Sequence, residues 1–174
     1  YTCSEGLLKD LSALANKLQA PVFCHNSETQ KEVAECVKRY GITPTVYLDS
    51  IGMFNYGGGG YHCVHMTDSD INVFEKRGMS IVLNPASNLK LASGIAPVSL
   101  FMKKGINLAL GTDGPASNNA LDMFREMFLT TALAKYREND ASAVDANEVL
   151  KMATLGGAKT MGLRNCDTLS RGKK

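Results

Sequence analysis

Three side chains suited to hydrolytic chemistry stand at or just beyond the ends of short apolar runs: His25, His62 and Asp113. Glu28 follows the first of them by three residues, and Asn84 closes a further apolar run. Imidazole with carboxylate is a donor set that suits Zn²⁺ or Fe²⁺. A divalent ion lowers the pKa of water so that hydroxide is available near neutral pH. A carboxylate beside it can carry protons between water and substrate. Each residue also has a plainer reading when taken singly. His25 reads equally as a buried imidazole satisfied by hydrogen bonds. Glu28 reads as a first-turn helix acid favoured by the helix dipole, and Asp113 as a turn or cap aspartate. His62 and His65 cannot face the same way if one strand runs through both, because strand side chains alternate. His62 is therefore the inward residue and His65 a structural loop residue. Asn84, Ser87 and Asn88 read as loop formers.

The elements that must position these residues follow from the apolar pattern. Ser4 is a candidate N-cap for a helix carrying Leu7, Leu8, Leu11, Leu14, Ala15 and Leu18 at helical spacing. Residues 21–25 read as a buried strand closing on His25. A helix over 29–40 follows, with Val33, Cys36, Val37 and Tyr40 inward and Gly41 as its stop. Residues 43–50 form a further helical turn. The glycine run 57–60 reads as a flexible entry loop before a strand over 61–65. A phosphate cradle would need strand, loop and helix in that order, and here the glycines come first. A helix over 68–77 buries Ile71 and Phe74. Residues 79–83 form the third strand, followed by a loop through Ser87, Asn88, Ser93 and Gly94. Pro97 opens a short helix to Lys104.

The apolar run 106–110 is the fourth strand. It leads through Gly111-Thr112 to Asp113, a carboxylate on the loop before the next helix. α/β barrels place their chemistry at that position. Helices over 121–137 and 145–161 come next, with Met123, Phe124, Met127 and Phe128 as helix core. Residues 166–169 form a last short strand. Strand ends at 25, 62, 84 and 113 stand 37, 22 and 29 residues apart, against about 31 per unit in an eight-unit barrel. Strands alternating with helices mean an α/β fold with a parallel sheet, either half of a barrel or a small open sheet.

Composition narrows the partners. Among 174 residues, 44% are hydrophobic and 21% charged, so the chain can bury a core. A net charge of +2 leaves no footprint for nucleic acid or a membrane surface. The five cysteines are scattered without a CxxC pair, which argues against a disulfide framework or a thiolate zinc site and for a reducing, cytoplasmic setting.

Four stretches together resemble the amidohydrolase superfamily: His25-Asn26-Ser27-Glu28-Thr29, His62-Cys63-Val64-His65, the run from Asn84-Pro85-Ala86-Ser87-Asn88 to Ala96-Pro97-Val98, and Gly111-Thr112-Asp113-Gly114-Pro115-Ala116-Ser117-Asn118-Asn119. Within it they are most similar to the 5-methylthioadenosine/S-adenosylhomocysteine deaminases, and the glycine run resembles clostridial members. The resemblance implies a metal-dependent (β/α)8 TIM barrel with one divalent ion, Zn²⁺ first and Fe²⁺ as the alternative. It implies His25 and Asp113 as metal ligands, and Glu28 as the residue that shuttles a proton to the purine ring nitrogen. It implies that His62 hydrogen-bonds the attacking hydroxide and that Asp113 takes the water's proton. Glu28, Asp113 and Ser117 fall where substrate contacts occur. The implied reaction is hydrolytic deamination of an adenine nucleoside to its inosine analogue and ammonia.

The family's first-strand His-x-His pair does not occur in these residues. Residues 1–165 are therefore expected to be the C-terminal half of the barrel, and 166–174 the start of a return to a β-sandwich domain. Such a piece is expected to bind metal weakly and to need the other half, or a second copy, to cover its strand edges. The rival readings are a related deaminase or chlorohydrolase acting on cytosine, guanine or a triazine, and a non-catalytic unit that assembles through those edges.

Overall fold

Residues 2–166 and 168–173 are described by a computed structural model, and they contain four short parallel strands separated by helices. The first helix, α1 (Glu5–Leu18), starts where Ser4 Oγ accepts the Leu7 N–H at 3.3 Å. Strand β1 (Val22–Asn26) is followed by α2 (Gln30–Tyr40) and α3 (Pro44–Ser50). Strand β2 (Gly58–His62) leads to α4 (Asp68–Arg77). Strand β3 (Ser80–Leu83) leads to α5 (Pro85–Lys90) and α6 (Val98–Lys103). Strand β4 (Asn107–Leu110) is followed by α7 (Pro115–Asn118) and α8 (Met123–Glu138). The last helical run comprises α9 (Ala146–Lys151), a π-helical turn (Met152–Gly156) and α10 (Gly157–Thr160).

The strands lie in chain order, β1-β2-β3-β4, with every neighbour parallel. Parallel pairing in sequence order brings all four C-terminal strand ends to one edge of the sheet. Register fixes the detail: Asn26 stands opposite His62, and Leu83 opposite Leu110. The core beside the sheet is built on the fully buried Phe54, Phe74, Phe101, Ile71 and Ile81. Helix ends are chemically specified. Thr29 with Glu32 and Thr67 with Asp70 form capping boxes that open α2 and α4. Gly41 and Gly78 close those helices in the left-handed region.

Five expectations are corrected. The glycine run is not an entry loop, because Gly58–Gly60 are themselves strand β2. A Cβ on Gly59 would stand 2.6 Å from the Phe23 ring and from the Ser80 carbonyl, and one on Gly60 would stand 2.6 Å from Cys63 Sγ. The missing side chains therefore let the neighbours close on this strand. The stretch after β3 is not all loop, since Pro85 opens helix α5. Four leucines of α1, Leu7, Leu11, Leu14 and Leu18, face outward, while Leu8 packs against the core and Ala15 is buried. That helix also docks through Ser12, whose Oγ donates to Ile51 O, and Asn16, which donates to Gly52 O. Val37, Phe124 and Phe128 are exposed rather than core, while Met123 and Met127 do pack against it. Cys166, Thr168 and Leu169 form no strand, and Asp167 lies outside the described residues.

Among the described residues no helix is long and apolar enough to cross a membrane.

Candidate metal centre

The strand ends deliver three donor groups to one place. His25 is the penultimate residue of β1 and His62 the last of β2. Asp113 follows β4 by three residues. His25, His62 and Asp113 each offer one ligand atom, and these atoms all lie within 4.8 Å of one another. The two imidazoles stack, with ring centroids 5.3 Å apart and planes inclined by 23°. Backbone geometry aims the side chains. His62 and Asp113 both have left-handed φ values, 70° and 58°, which breaks the strand alternation at the point of use. The strand stops at His62, so the choice between His62 and His65 is settled by a bend. His62 is buried in the cluster, while His65 Nε2 stands 2.7 Å from Ser93 O in the loop after α5.

Each donor is held by a partner behind it. Asp113 Oδ2 accepts from Ser87 Oγ at 2.6 Å and Ser117 Oγ at 2.7 Å. Partial burial raises its carboxyl pKa, but those two hydroxyls, the Gly114 backbone and nearby His62 outweigh it, and the net shift is downward. Asp113 is therefore a carboxylate at neutral pH. His62 Nδ1 stands 2.7 Å from Asn88 Oδ1. An amide oxygen only accepts, so Nδ1 carries the proton and Nε2 presents its lone pair. Glu28 is buried, with Oε2 4.0 Å from His62 Nε2 and Oε1 accepting from Ser93 Oγ at 3.3 Å.

Glu28 precedes the Thr29 cap, so it is not a first-turn acid. That part belongs to Glu32, whose carboxylate accepts the N–H groups of Ser27 and Glu28 at 3.2 and 2.8 Å and so fixes the Glu28 backbone.

Sequence reasoning missed the supporting residues. Ser87 and Asn88 are more than loop formers: both are buried, and they grip Asp113 and His62. Asn84 is buried at the end of β3. Its amide nitrogen stands 3.4 Å from Val82 O, and its oxygen would lie 2.7 Å from a Cβ on Gly111. Proline followed by small polar residues was the available signal, since Pro suits a first helical position and starts α5 here.

Two imidazoles and a carboxylate whose donor atoms converge within 4.8 Å fit one Zn²⁺ or Fe²⁺ ion by donor chemistry.

Comparisons with known proteins give the family of the chain. The family model described as the Amidohydrolase family matches residues 1–174. A 5-methylthioadenosine/S-adenosylhomocysteine deaminase of Caldanaerobacter subterraneus subsp. tengcongensis is 48% identical over 175 residues, which cover 100% of this chain and 40% of that protein. A 5'-deoxyadenosine deaminase of Methanothermobacter thermautotrophicus is 45% identical over 94% of this chain and 38% of its own length. The crystal structure of an adenosine deaminase from Xanthomonas campestris with bound zinc superposes with a TM-score of 0.90 at 41% identity, covering 99% of this chain and 40% of that one. The chain thus spans about 40% of the length of these relatives.

Proposed function

This chain belongs to the amidohydrolase family, and from that premise we propose that its activity is metal-dependent hydrolytic deamination of an adenine nucleoside. The substrates are 5-methylthioadenosine and S-adenosylhomocysteine, each giving its inosine analogue and ammonia. Four consecutive parallel strands with intervening helices make up half of a (β/α)8 barrel. The observation that carries the reading is the meeting of His25, His62 and Asp113 beside the buried Glu28.

His25 and Asp113 are the residues that would hold the ion, Zn²⁺ by preference, with His62 against them. When bound, the ion supplies a water that is deprotonated near neutral pH. Asp113, kept ionised by Ser87 and Ser117, receives the water's proton. His62 turns its Nε2 lone pair toward the attacking oxygen, and Asn88 holds that tautomer. Glu28 delivers a proton to the purine ring nitrogen, which makes C6 electrophilic; Asp113 then passes the water's proton to the amino group, which leaves as ammonia, and Glu28 takes back a proton from the new C6 hydroxyl as the carbonyl forms. The balance is one water consumed and one C–N bond exchanged for C–O. Ser117 donates to Asp113, and its remaining lone pair is free to accept from a nucleoside hydroxyl.

His25 is exposed on outer strand β1. We assign the covering of that strand to further barrel units or to a second copy of this chain, and the setting to the cytoplasm. Ammonia release from both nucleosides by the metal-replete full-length protein, with the barrel complete, tests the reading. Turnover of either supports it, and no turnover of either rejects it.

A further inference from the structure

One buried carboxylate has no part in the chemistry above. Glu126, in the first turn of α8, is fully buried. Its Oε2 accepts the Ala86 backbone N–H at 3.0 Å, and its Oε1 accepts the Asn118 side-chain amide at 2.7 Å. Both partners are N–H donors, so both oxygens act as acceptors, the pattern of an ionised carboxylate. Burying such a group is costly unless its bonds are made, so an apolar residue would fill this space more simply. What the two bonds reach accounts for the carboxylate. Ala86 directly precedes Ser87 and Asn88, which grip Asp113 and His62. Asn118 directly follows Ser117, the second donor to Asp113. Asn118 also donates to Thr112 O at 2.5 Å, beside Asp113 in the chain, and its own carbonyl accepts from Arg125 Nη2 at 3.0 Å.

We propose that Glu126 is a positioning residue that locks the loop after β3 to the loop after β4, so that the hydrogen bonds behind Asp113 and His62 are made together. The proposal rests on the metal-centre reading above. In it, α8 is the rigid bar and Glu126 the clamp. The clamp touches no reacting atom. It sets where Ser87, Ser117 and Asn88 stand, and through them which Asp113 oxygen and which His62 nitrogen face the centre.

The test uses the whole chain with Co²⁺ as the probe, read by its visible absorption, and the His62 ring proton read by nitrogen-15 NMR without metal. Glu126→Ala is expected to weaken Co²⁺ binding at least tenfold and to erase the slowly exchanging His62 Nδ1–H signal. Asn118→Ala cuts only the Asp113 side. It is expected to weaken Co²⁺ binding to a similar extent while leaving the His62 signal in place. Phe74→Leu, a core change that removes none of the hydrogen bonds behind Asp113 and His62, is the stability control and should leave both readouts within twofold of the parent. If Glu126→Ala does not fold, the near-isosteric Glu126→Gln takes its place. The proposal is overturned if the Glu126 variant keeps both readouts, or if Phe74→Leu loses them equally. Failure of the parent chain to take up Co²⁺ contradicts the metal-centre reading instead. The His62 signal in the Glu126 and Phe74 variants then decides the clamp alone.

Discussion

Asn88 Oδ1 stands 2.7 Å from His62 Nδ1, inside a part of the molecule where neither residue meets solvent. That contact decides which imidazole nitrogen is available for chemistry. Asn88→Ala removes the acceptor and frees the ring to turn or change tautomer. Loss of such a supporting partner costs roughly 10–100-fold in metal affinity or activity. Steady-state kinetics on the metal-loaded protein should show that fall mainly in kcat. An unchanged kcat would mean the tautomer is set elsewhere.

The two serines behind Asp113 make a prediction about acid. Burial alone would raise the Asp113 carboxyl, and the Ser87 and Ser117 hydroxyls reverse it. A carboxyl with a lowered folded pKa stabilises the fold above its unfolded value, 3.8 here, and that contribution is lost as pH falls through the folded pKa. In the metal-free Ser87→Ala/Ser117→Ala double variant the Asp113 carboxyl, followed by carbon-13 NMR, should titrate at higher pH than in the parent. The stability lost by the variant from this source should be constant near neutrality and shrink below about pH 4. A variant carboxyl that titrates with the parent's would contradict the hydrogen-bond assignment.

Thiol chemistry should follow burial. Burial, with Glu32 nearby, pushes Cys24 up to about 12, and burial drives Cys63 well above its ordinary value. Cys3 is exposed. Only the thiolate is nucleophilic. At pH 8, iodoacetamide should label Cys3 in the native chain and spare Cys24 and Cys63, with all three labelled in denaturant. Peptide mass spectrometry reads the outcome. Labelling of native Cys63 at the rate of Cys3 would show that the end of β2 opens freely.

Strand β4 leads to Asp113, and a π-helical turn presses against that strand. A Cβ on Gly156 would lie 1.9 Å from Leu108 O, so Gly156→Ala must move strand or helix. Overpacking of this kind costs about 1–3 kcal/mol. Gly6, in α1 with nothing within 4 Å of its would-be Cβ, is the counterpart. Gly6→Ala should be neutral or stabilise by about 0.5–1 kcal/mol. Thermal melts of both variants check the contrast, and equal midpoints would refute the close packing.

The sequence made local chemistry readable and long-range packing hard to read. Thr29 and Thr67 announce their helices through caps acting within four residues. His25, His62 and Asp113 stand out because a polar residue at the end of an apolar run has a local signature, and parallel order then brings the ends together. Gly58–Gly60 were illegible as a strand because glycine carries no β preference of its own. Their pairing depends on how closely Phe23 and Ser80 approach. The outward leucines of α1 and Phe124 and Phe128 of α8 show the reverse case. Helical spacing marks a face but does not say what the face meets. Glu126 was hidden because its partners lie 40 and 8 residues away, one of them a backbone group that no side-chain pattern records.

Glu28→Gln in the zinc-loaded protein, with ammonia release and bound zinc measured on the same sample, separates proton delivery from metal holding. Positioned acid–base groups contribute roughly 10²–10⁴-fold. Deamination of 5-methylthioadenosine should fall by that factor, with zinc retained at the parent's stoichiometry, because His25 and Asp113 are untouched. Deamination at the parent's rate would contradict proton delivery by Glu28.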